Sequence, residues 1–371
     1  MGGNSAKIEL SLPGRGYSIE IGSGLMDRLG GRLRGLCDAT RATVVTDDIV
    51  GPLYADRAVG SLAAGGFDVT LATVPAGDGS KSLEQAGQLY DRLAEVGHGR
   101  GDPVIALGGG MVGDLAGFVA ATWMRGVPFV QCPTTLESDI DASIGGKTAV
   151  NHSSGKNLIG AFHQPIYVCI DIDCLETLSD RDYRAGLAES VKHAIIRDKL
   201  FFRWHEEKAG AITNREPRIV CDLICWNCEI KAAVVVEDER ESAQQGVGRA
   251  VLNFGHTVGH AIEAQSEYAL RHGEAVSLGM VAVLDLAVRH CGFSEEDRVR
   301  SESLLQALGL PIRSTRSLDT VDLIRRMAGD KKALHQVLRF VLPDRIGRVG
   351  WLPSPDEASL MRAIERLAPG G

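Results

Sequence analysis

Two histidines stand at i and i+4 in Asn253-Phe-Gly-His256-Thr-Val-Gly-His260, a spacing that puts both imidazoles on one face of a helix. His272-Gly-Glu274 follows, and Glu189 sits earlier in Gly186-Leu-Ala-Glu-Ser-Val-Lys192-His193. Imidazoles with a carboxylate suit Zn²⁺ or a similar transition metal, and a catalytic site needs three protein ligands and an open position. Spacing leaves the choice of three open: His256 with His260 is one natural helical pair, and Glu189 with His193 is another. A lone histidine would read as a core residue. Several polar groups on otherwise apolar, glycine-bearing helices do not.

A second chemistry is legible nearer the N-terminus. Gly108-Gly-Gly-Met-Val-Gly-Asp114 follows an apolar run and opens a helical pattern. Glycines there let backbone N–H groups approach a pyrophosphate, and the helix N-terminus adds positive potential. The segment from Pro133 to Asn157 is rich in Gly, Ser and Asn and carries Lys147 and Lys156, which suits phosphates and sugar hydroxyls. It is expected to be a structureless loop, and loops of that length in compact domains are usually functional. Pro75-Ala-Gly-Asp78-Gly-Ser-Lys81-Ser-Leu83 is a turn entering a helix with a lysine at its start.

These groups need elements to hold them. Strand patterns at 41–47, 67–74, 103–107 and 129–132 alternate with helical ones such as 82–95, which predicts a doubly wound parallel α/β sheet. Ligands of such sheets bind beyond the carboxyl ends of the strands. From Asp180 onward helices dominate, at 185–198, 218–236, 254–264, 273–290, 294–308 and 318–327. Strand signal returns only at 337–341 and 347–352. The expected organisation is therefore an N-terminal doubly wound domain, 1–178, and a mainly α-helical domain, 179–371.

Composition bounds the ligands. The chain has 40 Lys+Arg and 48 Asp+Glu, a formal net charge of −8, with 44% hydrophobic and 24% charged residues. That argues for a globular enzyme-sized protein and against a nucleic-acid binder. No apolar run is long enough to span a membrane, and the first twelve residues lack the pattern of a secretory signal, so a cytoplasmic location is expected. Eight scattered cysteines fit a reducing compartment, and Cys221, Cys225 and Cys228 read as core thiols of one helix rather than a zinc or redox motif.

With these segments in hand, the chain resembles the 3-dehydroquinate synthases of the sugar phosphate cyclase superfamily, over nearly all of its length. The resemblance is carried by GGGMVGDLAGFVAATWMRG (108–126), PTT (133–135), GGKTAVNHSSGKNLIGAF (145–162), GLAESVKHAII (186–196), NFGHTVGHAIE (253–263), HGEAV (272–276) and DKK (330–332). It implies an NAD-binding first domain, with Asp47, Asp78, Lys81, Gly110, Met111, Val112, Gly113, Asp114, Thr134, Thr135, Lys147, Lys156 and Thr177 lining the cofactor site. It implies Glu189, His256 and His272 as ligands of one divalent metal, Zn or Co. Substrate contacts carry over to Asp141, Lys147, Lys156, Asn157, Lys192, Lys231, Arg249, Asn253, His260, Lys331 and Lys332. Lys147, Lys192, Lys231, Asn253, His260 and Glu241 carry over as catalytic. Arg125 matches an arginine that reaches a neighbouring subunit's phosphate site, which implies a homodimer.

The implied reaction converts 3-deoxy-D-arabino-heptulosonate 7-phosphate, a phosphorylated keto-sugar-acid, to 3-dehydroquinate and phosphate in the shikimate pathway. Transient oxidation at C5 by NAD acidifies a neighbouring C–H, phosphate leaves by β-elimination, the ketone is re-reduced, and ring opening precedes an intramolecular aldol. Cyclases of the same superfamily with other sugar phosphates often replace the Asn of NFGH, the second His of HxxxH and the DKK lysines; Asn253, His260, Lys331 and Lys332 are all present. A metal-dependent polyol dehydrogenase shares the two-domain plan. The chain departs from the family pattern at Glu137 and Asp139, where apolar or small neutral residues are usual, and in a longer segment from Glu241 to Arg249.

Overall fold

Val104–Gly108, the apolar run that stops at the glycines, is a completely buried strand of a seven-stranded sheet in the computed structural model, which describes residues 5–241, 247–332, 339–353 and 355–369. In chain order the first elements are β1 (Ser5–Leu12), β2 (Arg15–Gly22), α1 (Leu29–Arg34), β3 (Arg41–Asp47), α2 (Gly51–Ala64), β4 (Asp68–Val74), α3 (Leu83–Glu95), β5 (Val104–Gly108), α4 (Gly110–Thr122), β6 (Phe129–Pro133), β7 (Lys147–His152), β8 (Gly155–Phe162) and β9 (Tyr167–Asp171). There follow α5 (Asp180–Arg197), α6 (Lys199–Thr213), α7 (Pro217–Glu237), α8 (His256–Gln265), α9 (His272–His290), α10 (Glu295–Ala307), α11 (Thr320–Lys332), β10 (Arg339–Arg345), β11 (Arg348–Pro353) and α12 (Glu357–Glu365). The residues group into two compact units, Met1–Leu178 with Val220–Val236, and Ser179–Ile219 with Glu237–Gly371. Most of α7 thus belongs to the first unit although it lies in the second half of the sequence.

In the first unit the strand order is β1-β2-β9-β6-β5-β3-β4, parallel except between β1 and β2. Parallel strands need crossover helices, and those helices cover both faces. Strand β5 shows the result. Ile105 and Leu107 pack with Leu29, Leu33, Tyr54 and Leu62 of α1 and α2, whereas Val104 and Ala106 pack with Leu89, Leu93, Leu115 and Val119 of α3 and α4. The chain runs outward from β3 to β4 on one side and from β5 to β6 on the other. The topological switch point therefore lies between β3 and β5, beside the N-terminus of α4.

One expectation is corrected. The stretch from Pro133 to Asn157 is not a structureless loop. It holds a π-helical turn, Ser138–Ala142, and most of the antiparallel hairpin β7–β8. Polar composition hid the hairpin because only one short stretch of it is buried: Thr148, Ala149 and Val150 are covered, while Lys147, His152, Lys156 and Asn157 stay outside.

In the second unit α5 is buried without a break from Ala185 to Ile196. Helix α9 packs against both α5 and α8. Two glycines set those approaches. A Cβ on Gly279 would lie 2.0 Å from the Gly255 carbonyl oxygen, and one on Gly273 would lie 1.9 Å from that of Ala185. A polar chain ties α5 to α6: His205 Nδ1–H donates to the Phe201 carbonyl at 2.8 Å, so its Nε2 accepts from Ser190 Oγ at 2.7 Å. Burial pushes the His205 pKa down to about 4.

Two predictions follow from this packing. Gly279→Ala should cost about 3 kcal/mol or more by overpacking, whereas Gly210→Ala on α6, where a new Cβ meets nothing within 4 Å, should gain about 0.5–1 kcal/mol; thermal melts compare them. A histidine protonates near pH 6.5 when unfolded, but His205 does so only at about 4 in the fold. Between these values the unfolded chain binds more protons, so stability should fall as pH falls, by about 3 kcal/mol from this residue. His205→Leu should be less stable at neutral pH and lose that share of the acid slope; an unchanged slope in denaturant melts contradicts a buried neutral imidazole.

Candidate functional site

Helices α5, α8 and α9 of the second unit carry Glu189, His256 and His260, and His272. The close α8–α9 and α5–α9 approaches permitted by Gly279 and Gly273 bring these side chains together. Glu189 Oε1 lies 3.4 Å from His256 Nε2 and 3.6 Å from His272 Nε2. One nitrogen from each of His256, His260 and His272 also lies within 4.8 Å of the others. The ring centroids are 5.2 Å apart for His256 and His260, 5.3 Å for His256 and His272, and 5.6 Å for His260 and His272.

The protonation states suit a cation. Glu189 and Lys192 are each 1% exposed and form an ion pair one helical turn apart. Burial alone would push the Glu189 carboxyl up, but Lys192 and the two facing imidazoles outweigh it and hold the pKa well below the usual range. Burial lowers His256 against the pull of Glu189. Desolvation, with the imidazoles of His256 and His272 beside it, lowers His260 to about 3. A buried carboxylate thus faces the His256 imidazole, which burial draws toward the neutral form that ligates a divalent ion. His256 Nδ1–H donates to the Phe254 carbonyl at 3.1 Å, and His272 Nδ1 is 3.2 Å from Glu263 Oε2. The Nε2 atoms of both rings lie toward Glu189. Ligands about 2.1 Å from a tetrahedral zinc are separated by about 3.4 Å, and the Glu189–imidazole separations match that edge. The donor set fits a divalent metal.

In the first unit the candidate residues follow the carboxyl ends of the parallel strands. Gly109, partly exposed past β5, is the N-cap of α4, and Gly110, Met111 and Val112 form its first turn, where backbone N–H groups lack helical partners. The Thr134 amide donates to the Gly108 carbonyl, and Thr135 and Ser138 exchange hydrogen bonds at the start of the π-helical turn. Lys81 Nζ contacts Asp114 Oδ2 at 2.6 Å and Asn157 Oδ1 at 2.5 Å. Burial pushes the Asp114 pKa up, only partly offset by Lys81. Asp78 Oδ2 accepts from Asn151 Nδ2 at 3.1 Å and pairs with Lys156 at 3.3 Å, so hairpin β7–β8 is tied to the turn before α3. Asp47 Oδ1 accepts the amides of Ile49 and Val50 at the end of β3, and Thr177 Oγ1 meets the Tyr54 hydroxyl at 2.6 Å after β9. These two share the strand-end edge without a direct contact to the Lys81 cluster.

Other expected residues fall as follows. Asp141, on the π-helical turn, pairs with Lys231 of α7. Lys147 is exposed at the start of β7. Arg125 is exposed on a turn where Met124, Arg125 and Gly126 have φ of 47°, 71° and 117°, a run of left-handed backbone that costs energy for the first two. Arg249 is 2% exposed; its amide donates to Asp238 Oδ2 and its Nη1 to the Glu239 carbonyl. Asn253 Nδ2 donates to Glu241 Oε1 at 3.3 Å. Lys331 and Lys332 end α11, and their side chains lie outside the described residues. Residues 242–246 of the longer segment also lie outside them. Sequence patterning gives no role to Glu263, although its spacing from His256 and His260 puts it on their helix face.

The family model described as 3-dehydroquinate synthase N-terminal matches residues 71–185, and that described as 3-dehydroquinate synthase C-terminal matches 186–333. The 3-dehydroquinate synthase of Desulforamulus reducens is 47% identical over 360 residues, 97% of this chain and 99% of that protein. A crystal structure of 2-deoxy-scyllo-inosose synthase with carbaglucose-6-phosphate, NAD⁺ and Co²⁺ superposes with a TM-score of 0.88 at 24% identity, covering 97% of this chain and 99% of that one. A 2-epi-5-epi-valiolone synthase of Streptomyces hygroscopicus, with NAD⁺ and Zn²⁺ bound, gives 0.84 at 26% identity, covering 95% and 96%. Among the described residues no helix is long and apolar enough to cross a membrane. With matched family models across most of its length and near-full-length identity to a named relative, the chain belongs to the 3-dehydroquinate synthase family.

Proposed function

We propose that this enzyme converts 3-deoxy-D-arabino-heptulosonate 7-phosphate to 3-dehydroquinate and phosphate, as a phosphate-eliminating carbon–oxygen lyase. The observation that carries the proposal is the Glu189–His256–His272 cluster, in a chain 47% identical to a 3-dehydroquinate synthase end to end. When bound, NAD⁺ supplies a reversible hydride acceptor, and a divalent ion, Zn or Co, a Lewis acid for the hydroxyl being oxidised. The support for both is the donor set and the NAD⁺ and Zn²⁺ held by the valiolone synthase.

The residues divide the work. The first turn of α4, Gly110 to Gly113, offers backbone N–H groups to the pyrophosphate. Lys81, braced by Asp114 and Asn157, keeps a cation at the same edge, where Asp47, Asp78, Thr134, Thr135 and Thr177 complete the nucleotide contacts. Glu189, His256 and His272 hold the divalent ion. Lys147, Lys156, Lys192, Lys231 and Arg249 supply the positive charge that a phosphate and a carboxylate need. The family resemblance assigns the lysines at 331 and 332 the same role. Asp141 orients Lys231 through their ion pair. Asn253 holds Glu241 by its amide, which keeps a carboxylate available for proton transfer. His260, a neutral imidazole, relays protons to substrate oxygens. The departing phosphate can itself take the proton from carbon, so no strong protein base is required. We read the enzyme as a cytoplasmic homodimer, with Arg125 reaching the neighbouring subunit; equilibrium sedimentation checks the dimer.

Phosphate release from the heptulosonate phosphate should need NAD, stop with a chelator and return with Zn²⁺ or Co²⁺. Sedoheptulose 7-phosphate and glucose 6-phosphate should be poor substrates; preference for either, or NADH that accumulates in step with turnover, overturns the proposal. Lys147→Ala should cut kcat/KM by about 10²-fold or more without moving the thermal midpoint, because this exposed side chain carries no core packing. Normal turnover there contradicts its role.

A further inference from the structure

On the metal-site reading above, we infer that Glu263 is a positioning residue for the ligand His272: its carboxylate takes the Nδ1–H of that imidazole and leaves Nε2 as the donor aimed at Glu189. The contact is 3.2 Å, and the opposite edge of the same ring is the one 3.6 Å from Glu189 Oε1.

The two histidines facing Glu189 are held by different means. His256 gives its Nδ1–H to the backbone carbonyl of Phe254, two residues back, a partner that any side chain at that position would provide. His272 is the first residue of α9, and its Nδ1 partner is a side chain on another helix. An imidazole without such an acceptor is shared between two tautomers, and only the one protonated at Nδ1 presents a lone pair at Nε2. A carboxylate acceptor also raises the electron density of the ring and strengthens it as a ligand.

Glu263 is itself well anchored. Its carbonyl accepts from Ser266 Oγ at 2.8 Å and from the Tyr268 amide at 3.0 Å, which fixes the last turn of α8. Its side chain is 12% exposed, so the bond to His272 is poorly screened. The same tight α8–α9 packing that needs a glycine at 279 brings a glutamate, with its full side-chain length, within reach of His272.

Three variants separate the components. Glu263→Gln keeps an acceptor and removes the charge, Glu263→Asp keeps the charge and shortens the reach, and Glu263→Ala removes both. Affinity for Zn²⁺ and Co²⁺ is measured by chelator competition on the whole protein, with the Co²⁺ absorption spectrum as a second readout. Weakening of about tenfold is expected for Glu263→Gln and up to about 100-fold for Glu263→Asp and Glu263→Ala, with a shifted Co²⁺ spectrum and an unchanged thermal midpoint of metal-free Glu263→Gln. Unchanged affinity and spectrum in all three, while His272→Ala loses the ion, overturns the role of Glu263 and leaves the metal site standing. Failure of the wild type to bind one ion, or binding by His272→Ala as tight as wild type, overturns the metal reading itself. Should Glu263→Ala not fold, nitrogen NMR of wild-type His272 decides: a proton on Nδ1 supports the inference, and a proton on Nε2 overturns it.

Discussion

A negative charge inside a fully buried stretch of helix is the constraint on which the second unit depends. Glu189 sits in a stretch of α5 with no exposed residue from Ala185 to Ile196. An isolated carboxylate there would be driven to its neutral form. Lys192 one turn away and the imidazoles of His256 and His272 keep it ionised. The helix packing serves the same end. Gly273 and Gly279 remove the side chains that would hold α9 away from α5 and α8, so the helices bearing Glu189, His256 and His272 approach closely enough for these polar side chains to meet. Packing, charge and ligand geometry are one arrangement, and weakening any of them weakens the others.

The first unit works on a different principle. Its candidate nucleotide site uses few buried charges and relies on where parallel strands end. The switch point between β3 and β5 exposes the first turn of α4, where the proposed nucleotide would meet backbone amides with its phosphates. Side chains then brace the edge: Lys81 joins α4 to the β7–β8 hairpin through Asp114 and Asn157, and Asp78 joins Lys156 and Asn151. A chain with a net charge of −8 can still present cations locally, as Lys81 and Lys156 do along this edge.

The sheet was legible in the sequence because parallel strands covered on both faces are continuous apolar runs, as at Val104 to Leu107. The helices bearing Glu189, His256 and His272 were legible from apolar periodicity and from histidines at helical spacing. The β7–β8 hairpin was not, because its buried stretch is three residues long and the turn that follows it is polar. Helix α6 has a start signal in Asp198, which caps the Leu200 and Phe201 amides, but its buried stripe includes His205, which a hydropathy pattern counts as polar. Spacing could not choose among His193, His256, His260, His272 and Glu189 as ligands, since their separations depend on how closely α5, α8 and α9 cross. Glu263 is illegible for the same reason: its partner lies across that crossing.

Anomalous diffraction at the zinc edge, on crystals of the enzyme loaded with one equivalent of Zn²⁺, locates the ion directly. A single anomalous peak is expected, bonded to one Glu189 oxygen and to Nε2 of both His256 and His272, with His260 not coordinated. A peak bonded to His256, His260 and His272 with Glu189 left to Lys192 alone, or a peak elsewhere, would contradict it.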